Sequence, residues 1–327
     1  MKVLFLLLSL GLSVSTLAAD NVYLGRAEVN EFINEMVQNH DFKAAELESW
    51  FASATQKQSI LDAISRPAEK TLTWAKYRKI FLNDARIKGG VKFWQENQAV
   101  LERAQQEFGV PAEIMVAIIG VETLYGQRQG SFRVIDALST LGFDYPPRSR
   151  FFRKELKQFL LLAREQKQDP LELKGSYAGA MGYGQFIPSS YRAYAIDYDQ
   201  DGFADIWQNT ADAIGSVANY FKRHGWQQGD PVVLRGRLQR SYNKDIINQS
   251  LKPKLTVAEV AKHGYLPVRS VDETLPATVM RLEGNWGAEF WIGLHNFYVI
   301  TRYNHSRLYA MAVWQLSQEI GRAYQKS

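Results

Sequence analysis

The apolar stretch EIMVAIIGVETLYG, residues 113–126, begins with Glu113 and then carries one further carboxyl group, Glu122, after a nearly unbroken run of aliphatic side chains. An ionised carboxylate in apolar surroundings is costly unless it is paired, and otherwise it tends to stay protonated. Apolar burial raises the pKa of a carboxyl group, and a position near a helix C-terminus raises it further. A protonated Glu can act as a general acid. The alternative is a structural ion pair between Glu122 and Arg128 or Arg133.

A glycine-rich segment, GSYAGAMGYGQF at residues 175–186, is the second candidate for chemistry. Small residues let a backbone or a ligand approach closely. Ser176, Tyr183 and Gln185 carry donor and acceptor groups that suit hydroxyls and amides. The segment contains neither a phosphate loop nor a dinucleotide-binding pattern. By itself it is more typical of a tight helix-packing turn than of a binding site.

An acidic segment, DYDQDGFADIWQ at residues 197–208, has the spacing of a calcium-binding loop. The predicted ligands are Asp197, Asp199, Asp201, the carbonyl of Phe203, Asp205 and Gln208. Position twelve of such a loop is usually a bidentate Glu, whereas the neutral amide of Gln208 offers one oxygen. The segment therefore predicts either a structural calcium site of reduced affinity or a solvated acidic turn.

Other catalytic templates are absent from the sequence. It has no HExxH, no GxSxG and no cysteine, and its five His residues show no metal-site spacing. We therefore expect chemistry that needs no cofactor. The 327 residues are 46% hydrophobic and 22% charged, which is typical of a globular protein. The net charge of +5 is spread along the chain without a basic block, so nucleic-acid binding is not expected.

Hydrophobic periodicity predicts an α+β, predominantly α protein. Val29, Phe32, Ile33 and Met36 share one helical face, and the helix that begins near Pro111 has almost no polar face, so it is expected to be buried on all sides. Residues 228–300, including the segment AEFWIGLHNFYVITRY, are rich in β-formers and predict strands. The predicted regions are a leader at 1–19, an N-terminal helical region at 20–105, a core at 106–227 with the acidic loop, a small β region at 228–300 and a returning C-terminal helix at 301–327.

The first residues, MKVLFLLLSLGLSVSTLAAD, predict a secretory signal. Lys2 supplies a positive start, the apolar run at residues 3–12 is too short to span a bilayer comfortably, and small residues follow near Ala18. The absence of cysteine excludes a lipid anchor on an N-terminal Cys. We expect an exported periplasmic protein that does not span the membrane.

Four motifs, in this order, resemble the lytic murein transglycosylase B family: GVETLYG, GSYAGAMGYGQFIPSSY, DAIGSVANYF and NFYVITRYNHS. The resemblance extends over roughly residues 25 to 325 and implies a goose-lysozyme-like helical core with an additional helical region and a small β insertion. It further implies cleavage of peptidoglycan between N-acetylmuramic acid and N-acetylglucosamine. The product would end in a 1,6-anhydromuramic ring, so that no water is consumed.

Residue by residue, the resemblance implies that Glu122 is the catalytic acid. Expected substrate contacts are Ser176, Gln185, Tyr220, Tyr303, Asn304, Tyr77 and Arg148, to which the glycine-rich segment adds Tyr183. Many relatives carry two arginines where this chain has Pro147 and Arg148. Asp136 and Asp144 have the character of capping or turn residues, so no second catalytic carboxyl is expected. Peptidoglycan glycan strands are the expected partner, with proteins of cell-wall synthesis or division as candidates.

Three rival functions stay open at this point. The first is a muramidase that hydrolyses the same bond, although most glycosidases that hydrolyse use two carboxyl groups. The second is a non-catalytic protein that binds peptidoglycan with the same fold. The third is a structural protein that depends on calcium.

Overall fold

The computed structural model describes residues 22–65 and 72–327, so the predicted leader lies outside the described residues. The chain divides into two compact units, one that ends at Gln56 and one that begins at Lys57. The first unit contains helices α1 (Ala27–His40) and α2 (Ala44–Ser53). The predicted apolar face of α1 is confirmed, because Val29, Phe32, Ile33 and Met36 are its buried residues.

Helices dominate the second unit. They are α3 (Gln58–Ile64), α4 (Trp74–Phe81), α5 (Asp84–Glu96), α6 (Gln98–Phe108), α7 (Ala112–Thr123), α8 (Val134–Asp144), α9 (Ser149–Glu165), α10 (Pro188–Tyr194), α11 (Thr210–Arg223), α12 (Val257–Lys262), α13 (His295–Tyr303) and α14 (Arg307–Tyr324). Helix α7 packs against α5, α6, α11 and α14. All its residues are buried except Glu113 and Glu122, which confirms the prediction of a helix enclosed on all sides. In the described part of the chain, no helix is long and apolar enough to cross a membrane.

Strands form two antiparallel sheets in the second unit. A short pair joins β1 (Phe132–Arg133) to β2 (Lys174–Gly175). The larger sheet has the order β4-β6-β7-β3-β5 and is built from β3 (Val233–Leu238), β4 (Leu255–Thr256), β5 (Tyr265–Pro267), β6 (Pro276–Gly284) and β7 (Gly287–Gly293). Strands β6 and β7 form a hairpin in which Gly284 pairs with Gly287. The predicted α+β, predominantly α class is confirmed.

The strand prediction for residues 295–303 is wrong, because these residues form α13. The segment HNFYVITRY consists largely of β-formers, but its buried residues Asn296, Phe297, Val299 and Ile300 follow helical spacing. Packing against the helical core outweighs local β-propensity here. The strands of the larger sheet thus lie within residues 233–293.

Candidate active site

Glu122 lies at the C-terminal turn of α7, where its side chain is half-buried. The hydroxyl of Tyr309 donates a hydrogen bond to Glu122 Oε1 over 2.5 Å. Tyr309 is buried in the first turns of α14, which packs directly against α7. The two helices therefore fix the carboxyl group against a tyrosine that comes from a distant part of the chain.

Tyrosines surround this carboxyl group. Burial raises the pKa of Tyr303 and of Tyr309 well above the usual value, and the negative charge of Glu122 raises both pKa values further. Tyr77 on α4 lies near enough to raise the pKa of Tyr309 as well. Both phenols thus keep their protons at neutral pH and act as hydrogen-bond donors. Of the predicted cleft residues, Tyr303 therefore lies close to Glu122, and Tyr77 lies close to its partner Tyr309.

The ring of Tyr303 packs against a second predicted cleft residue, Tyr220, with 4.7 Å between ring centroids. The hydroxyl of Tyr303 donates to the carbonyl of Gly184 over 2.6 Å, and the hydroxyl of Tyr220 donates to the carbonyl of Arg302 over 2.6 Å. These bonds tie α13 to the glycine-rich segment and to α11. Because both hydroxyls are engaged with backbone, the two tyrosines position the walls around the carboxyl group.

The chain leaves α7 through a left-handed turn directly after the candidate acid. Leu124 and Tyr125 have φ values of 51° and 59°, and Gly126 follows with 87°. The left-handed conformation costs roughly 1–2 kcal/mol for each residue other than glycine. The hydroxyl of Tyr125 donates to the carbonyl of Arg86 over 2.6 Å and helps to hold the turn. Such strain is typical of functional sites.

The glycine-rich segment folds onto the end of α7. The hydroxyl of Thr123 donates to the carbonyl of Tyr183 over 3.0 Å and accepts the backbone N–H of Gly126 over 3.0 Å. A Cβ atom at Gly126 would lie 2.2 Å from the ring of Tyr183, so glycine is required there. Gln185 has a φ of 50° and donates through its amide to the carbonyl of Gln129 over 3.0 Å. The predicted residues Tyr183 and Gln185 are thereby brought to the segment that follows Glu122.

The remaining predicted substrate contacts lie at the ends of other elements. The hydroxyl of Ser176 accepts the backbone N–H of Ala180 over 3.1 Å and shapes the start of the glycine-rich segment. Asn304 directly follows α13. Arg148 is exposed on the short 3-10 turn Pro146–Arg148, and its guanidinium lies 4.5 Å from the ring centroid of Phe151. The contacts seen for Arg148 are thus with its own sequence neighbours.

Other buried carboxyl groups are occupied by structural partners. Asp136 is buried in the first turn of α8 and pairs with Arg133 over 2.8 Å. Glu155 accepts the backbone N–H and the hydroxyl of Ser189 over 2.9 and 2.8 Å, and burial raises its pKa. Arg133, one proposed structural partner of Glu122, is thus engaged with Asp136. Glu122 differs from these carboxyls because a tyrosine donates to it.

Two residues of this site were missed by sequence reasoning. Tyr309 carried one signal, a hydroxyl within the apolar helical run LYAMAVW, where a buried phenol needs a partner. Arg86 gave no signal at all. Its guanidinium donates to the carbonyl of Gly120, and burial lowers its pKa while the charge of Glu122 opposes that shift.

The acidic loop brings carboxylates together, but the set differs from the predicted one. Oxygen atoms of Asp197, Asp199, Asp201 and Asp212 all lie within 4.8 Å of one another. Asp212 is buried at the start of α11 and accepts the backbone N–H of Tyr198 over 2.6 Å. Burial is the largest cause that raises its pKa.

The other predicted loop residues lie around this cluster. Asp205 accepts the backbone N–H of Gln208 over 2.9 Å and donates its own backbone N–H to Asp212 over 2.7 Å. The backbone N–H of Phe203 donates to Asp201 over 3.0 Å. Sequence spacing missed Asp212 because it lies beyond the twelve residues of the standard loop.

Comparisons with known proteins agree with this architecture. Residues 25–318 match the family described as the Transglycosylase SLT domain. The chain is 43% identical over 310 residues to the membrane-bound lytic murein transglycosylase B of Escherichia coli (strain K12). The matched residues cover 92% of this chain and 84% of that protein.

Solved structures match over a similar extent. The catenated lytic transglycosylase SltB1 of Pseudomonas aeruginosa is 54% identical with a TM-score of 0.89, over 92% of this chain and 99% of that chain. The Escherichia coli lytic transglycosylase Slt35 in complex with calcium is 43% identical with a TM-score of 0.85, over 93% and 95%. The predicted lysozyme-like α+β fold is confirmed by these matches. The chain therefore belongs to the lytic murein transglycosylases, enzymes that act on peptidoglycan.

Proposed function

We propose that Glu122 acts first as the acid and then as the base in the cleavage of the N-acetylmuramic acid–N-acetylglucosamine bond. The observation that carries this proposal is the hydrogen bond from Tyr309 to a half-buried carboxyl at the end of an otherwise apolar helix. The buried carboxyls of Asp136 and Glu155 are engaged by Arg133 and Ser189. One carboxyl suits a reaction that needs no activated water.

The proposed reaction uses the two oxygens of Glu122 differently. Because Tyr309 donates to Oε1, the proton of the neutral acid resides on Oε2. Oε2 gives this proton to the glycosidic oxygen as its bond to C1 breaks, and the departing sugar leaves with a hydroxyl. The positive charge at C1 is stabilised by the 2-acetamido oxygen of the same sugar. The carboxylate then takes the proton of the C6 hydroxyl, whose oxygen bonds to C1 and closes the 1,6-anhydro ring.

Tyr309 contributes most at the moment when Glu122 becomes charged. Hydrogen bonds to charged acceptors are roughly twice as strong as those between neutral groups. The bond therefore strengthens as the proton departs, and an interaction that strengthens toward the transition state raises kcat. The positive charge of Arg86 interacts with Glu122 and also stabilises its charged form.

We further propose that the glycan lies along the walls that the tyrosines and the glycine-rich segment form beside Glu122. The proposed contacts are Tyr77, Tyr220, Tyr303 and Asn304 on one side, Ser176, Tyr183 and Gln185 on the other, and Arg148 farther away. Tyr303 is partly exposed and offers part of its ring to a sugar, whereas Tyr220 is 6% exposed and stacks on His224, so it supports the wall from behind. Support for Arg148 is weakest, because its guanidinium packs on Phe151.

We propose a structural calcium ion at the acidic loop. The donor set fits calcium, since four carboxylates offer oxygen atoms within 4.8 Å of one another. Asp197, Asp199, Asp201 and Asp212 would hold the ion, with the carbonyl of Phe203 and with Asp205 and Gln208 as further candidates. When bound, the ion would supply positive charge that holds the loop to the start of α11. Asp212 provides the acid that the predicted position of Gln208 lacks.

We also propose a periplasmic location, with peptidoglycan glycan strands as the substrate and proteins of cell-wall synthesis or division as possible associates. The activity supports this location because murein lies in that compartment. Detection of the protein in a periplasmic fraction after cell fractionation tests it.

Product analysis tests the proposed chemistry. Mass spectrometry of digested sacculi is expected to show muropeptides with anhydro ends, whereas reducing ends without anhydro products would indicate a muramidase and overturn the proposal. Glu122→Gln should lower the rate at least ~100-fold with the fold retained, as expected for an essential general acid. Glu155→Gln is the matched control, because it neutralises a buried carboxyl that Ser189 occupies, and its rate should stay near that of the wild type. An unchanged rate in Glu122→Gln would favour a non-catalytic role for this group.

A further inference from the structure

A basic cavity lies where the start of α14 meets strand β6 and the loop at residues 248–251. Its volume is about 710 Å³, within the range of about 300–1,000 Å³ typical of small-ligand sites. Three basic side chains line it, Arg281, His305 and Arg307, and none of the described residues in the lining is an Asp or a Glu. A cavity lined by one sign of charge attracts ligands of the opposite sign, so this composition favours an anion.

Arg307 carries a charge that the protein leaves without a counterion. Its side chain is half-buried, and its Nη2 donates to the carbonyl of Asn248 over 2.5 Å. Within residues 22–65 and 72–327 this guanidinium has no carboxylate partner, and burial lowers its pKa with no acid to oppose the shift. A cation removed from water is costly unless it is paired. A carboxylate of a bound molecule would supply the missing partner.

The guanidinium of Arg307 has a donor that a ligand can reach. Its Nε is enclosed and Nη2 is engaged with backbone. Nη1 makes no hydrogen bond with the other described residues and is not among the enclosed unpaired atoms, so it is accessible from the cavity. An anion in the cavity therefore meets this charge through Nη1.

Two exposed side chains extend the basic lining. Arg281 lies on β6, and His305 lies in the turn between α13 and α14. Arg281 pairs over 2.5 Å with Glu283, which is also exposed and lies outside the lining. Exposed pairs of this kind contribute little to stability, so Arg281 can turn to a bound anion at small cost. His305 makes no hydrogen bond within the described part of the chain.

Hydrogen bonds fix the loop that closes the cavity. Asn248 has a φ of 58°, donates its backbone N–H to the carbonyl of Val279 over 2.9 Å and accepts the backbone N–H of Arg281 at its side-chain oxygen over 3.1 Å. The side chains of Gln249 and Ser250, by contrast, have no hydrogen-bond partner among the described residues. Their donors and acceptors suit the amide groups of a peptide.

The cavity and the candidate acid share one short segment of the chain. Arg307 comes two positions before Tyr309, whose hydroxyl donates to Glu122. Two residues of an α-helix turn by about 200°, so Arg307 and Tyr309 point to opposite sides of α14. A lactyl group followed by two extended residues spans ~10 Å, which is about the diameter of a helix. A peptide attached to a sugar beside Glu122 is thus long enough to reach the cavity.

We propose that this cavity binds a carboxylate of the peptide carried by the N-acetylmuramic acid unit at Glu122. Arg307 and Arg281 donate to the carboxylate, and Gln249 and Ser250 bond to the peptide amides. The proposal rests on the cleavage reaction proposed above. Its consequence is that the enzyme recognises the peptide of its substrate as well as the glycan, and prefers strands whose peptides are acidic.

Binding of one ligand in two charge states is the sharpest test. The ligand is N-acetylglucosaminyl-N-acetylmuramoyl-L-Ala-D-Glu, compared with its diamide by calorimetric titration into Glu122→Gln protein. The acid should bind about 10-fold more tightly than the diamide, because hydrogen bonds to a charged acceptor are the stronger ones. The preference should shrink in 1 M salt, where charges are screened. Equal affinities for the two forms at low salt would overturn the proposal.

Variants place the preference at this cavity. In the Glu122→Gln background, Arg307→Gln should bind the acid and the diamide with equal affinity, whereas Arg307→Lys keeps the charge and should retain part of the preference. Arg103→Gln is the matched control, because Arg103 also donates to a backbone carbonyl, that of Tyr198 over 2.8 Å, but lies outside the lining. It should keep the full preference for the acid.

An exposed position gives a second comparison that does not depend on core packing. Arg281→Gln should lower the preference for the acid, whereas Arg237→Gln removes an equal charge from an exposed strand position outside the lining and should not. Thermal unfolding midpoints show whether each variant is folded, and Arg281→Gln decides the question if Arg307→Gln is not. A full preference in folded Arg307→Gln or in Arg281→Gln would show that the carboxylate binds elsewhere and would overturn the proposal.

The two proposals can fail separately. With Glu122 intact, Arg307→Gln should lower kcat/KM on sacculi that carry peptides and leave it unchanged on glycan strands from which an amidase has removed them. An equal fall on both substrates would mean that Arg307 supports the catalytic core through α14, and would overturn the peptide site. Full activity in Glu122→Gln would instead overturn the proposed function and leave the comparison of acid and diamide valid.

Discussion

Replacement of Tyr309 by Phe is the most direct test of how the carboxyl group is held. The substitution removes one hydroxyl, which donates to Glu122 Oε1, and keeps the buried ring in place. A hydrogen bond to a charged group contributes about 1.5–3 kcal/mol. The same bond to the neutral acid contributes about 0.5–1.5 kcal/mol in the ground state, so only the difference of about 1–1.5 kcal/mol is lost from the barrier. At 1.36 kcal/mol for each factor of ten, the substitution lowers kcat by about 5- to 13-fold.

The pH dependence of the rate gives a second readout for Tyr309→Phe. Without the donated hydrogen bond, the charged form of Glu122 is less stabilised, so the neutral acid releases its proton less readily. The part of the pH profile that reports on this group should therefore move to higher pH in the variant. Steady-state rates on purified sacculi or on a soluble muropeptide between pH 4 and pH 8 would measure both effects.

A second buried tyrosine provides the control for this experiment. Tyr265 is fully buried in the larger sheet and donates to the carbonyl of Asn243 over 2.7 Å. Tyr265→Phe should destabilise the protein by a similar amount while its kcat and pH profile stay those of the wild type. If Tyr309→Phe behaves in the same way, the hydroxyl serves only packing and stability, and the proposed role of Tyr309 is wrong.

Three further predictions concern the surroundings of the site. Calcium at about 100 times its Kd should add about 2.7 kcal/mol to the free energy of unfolding, and Asp212→Asn should lose most of this gain. Calorimetry of the wild type with calcium and with a chelator measures the effect, and equal stabilities with calcium and with chelator would contradict a calcium site. Burial lowers the pKa of His224, so the unfolded chain binds more protons than the folded one and the free energy of unfolding falls as the pH drops below about 6.5. In urea titrations this decrease with pH should be smaller in His224→Asn, and an equal decrease in both proteins would show that His224 is not its source. Thr123→Val should lower the free energy of unfolding by about 1–3 kcal/mol, because two hydrogen bonds are lost. Ser139→Ala removes a buried hydroxyl that has no partner among the described residues, so it should lower the free energy of unfolding much less in the same denaturation assay.

The sequence supports prediction best where one local pattern decides the structure. An apolar run with two acids is enough to predict that α7 is buried and that Glu122 is an exception within it, because burial follows from hydrophobicity at all helical positions. The face of α1 follows from spacing in the same way. The β-rich composition of α13 led to a wrong strand prediction, because the helical state of that segment depends on contacts with distant elements.

The partners within the site could not be predicted from spacing. Tyr309 lies 187 positions from Glu122 in the sequence, and only the packing of α14 on α7 brings the two together. The same holds for Asp212, whose place in the acidic cluster depends on where α11 begins. A motif identifies the group that reacts, whereas the donors around it come from whichever elements the core packs beside it.

The left-handed turn at Leu124 and Tyr125 places opposing demands on one short segment. Glycine in place of Leu124 would relieve its backbone, yet it would also allow the peptide beside Glu122 to sample other directions. At Tyr125 the hydrogen bond to Arg86 opposes such a replacement. Selection of this enzyme for heat resistance alone would therefore favour a change at Leu124, a residue that keeps its acid aligned. Thermal tolerance and turnover are thus expected to trade off more steeply in this turn than elsewhere in the chain.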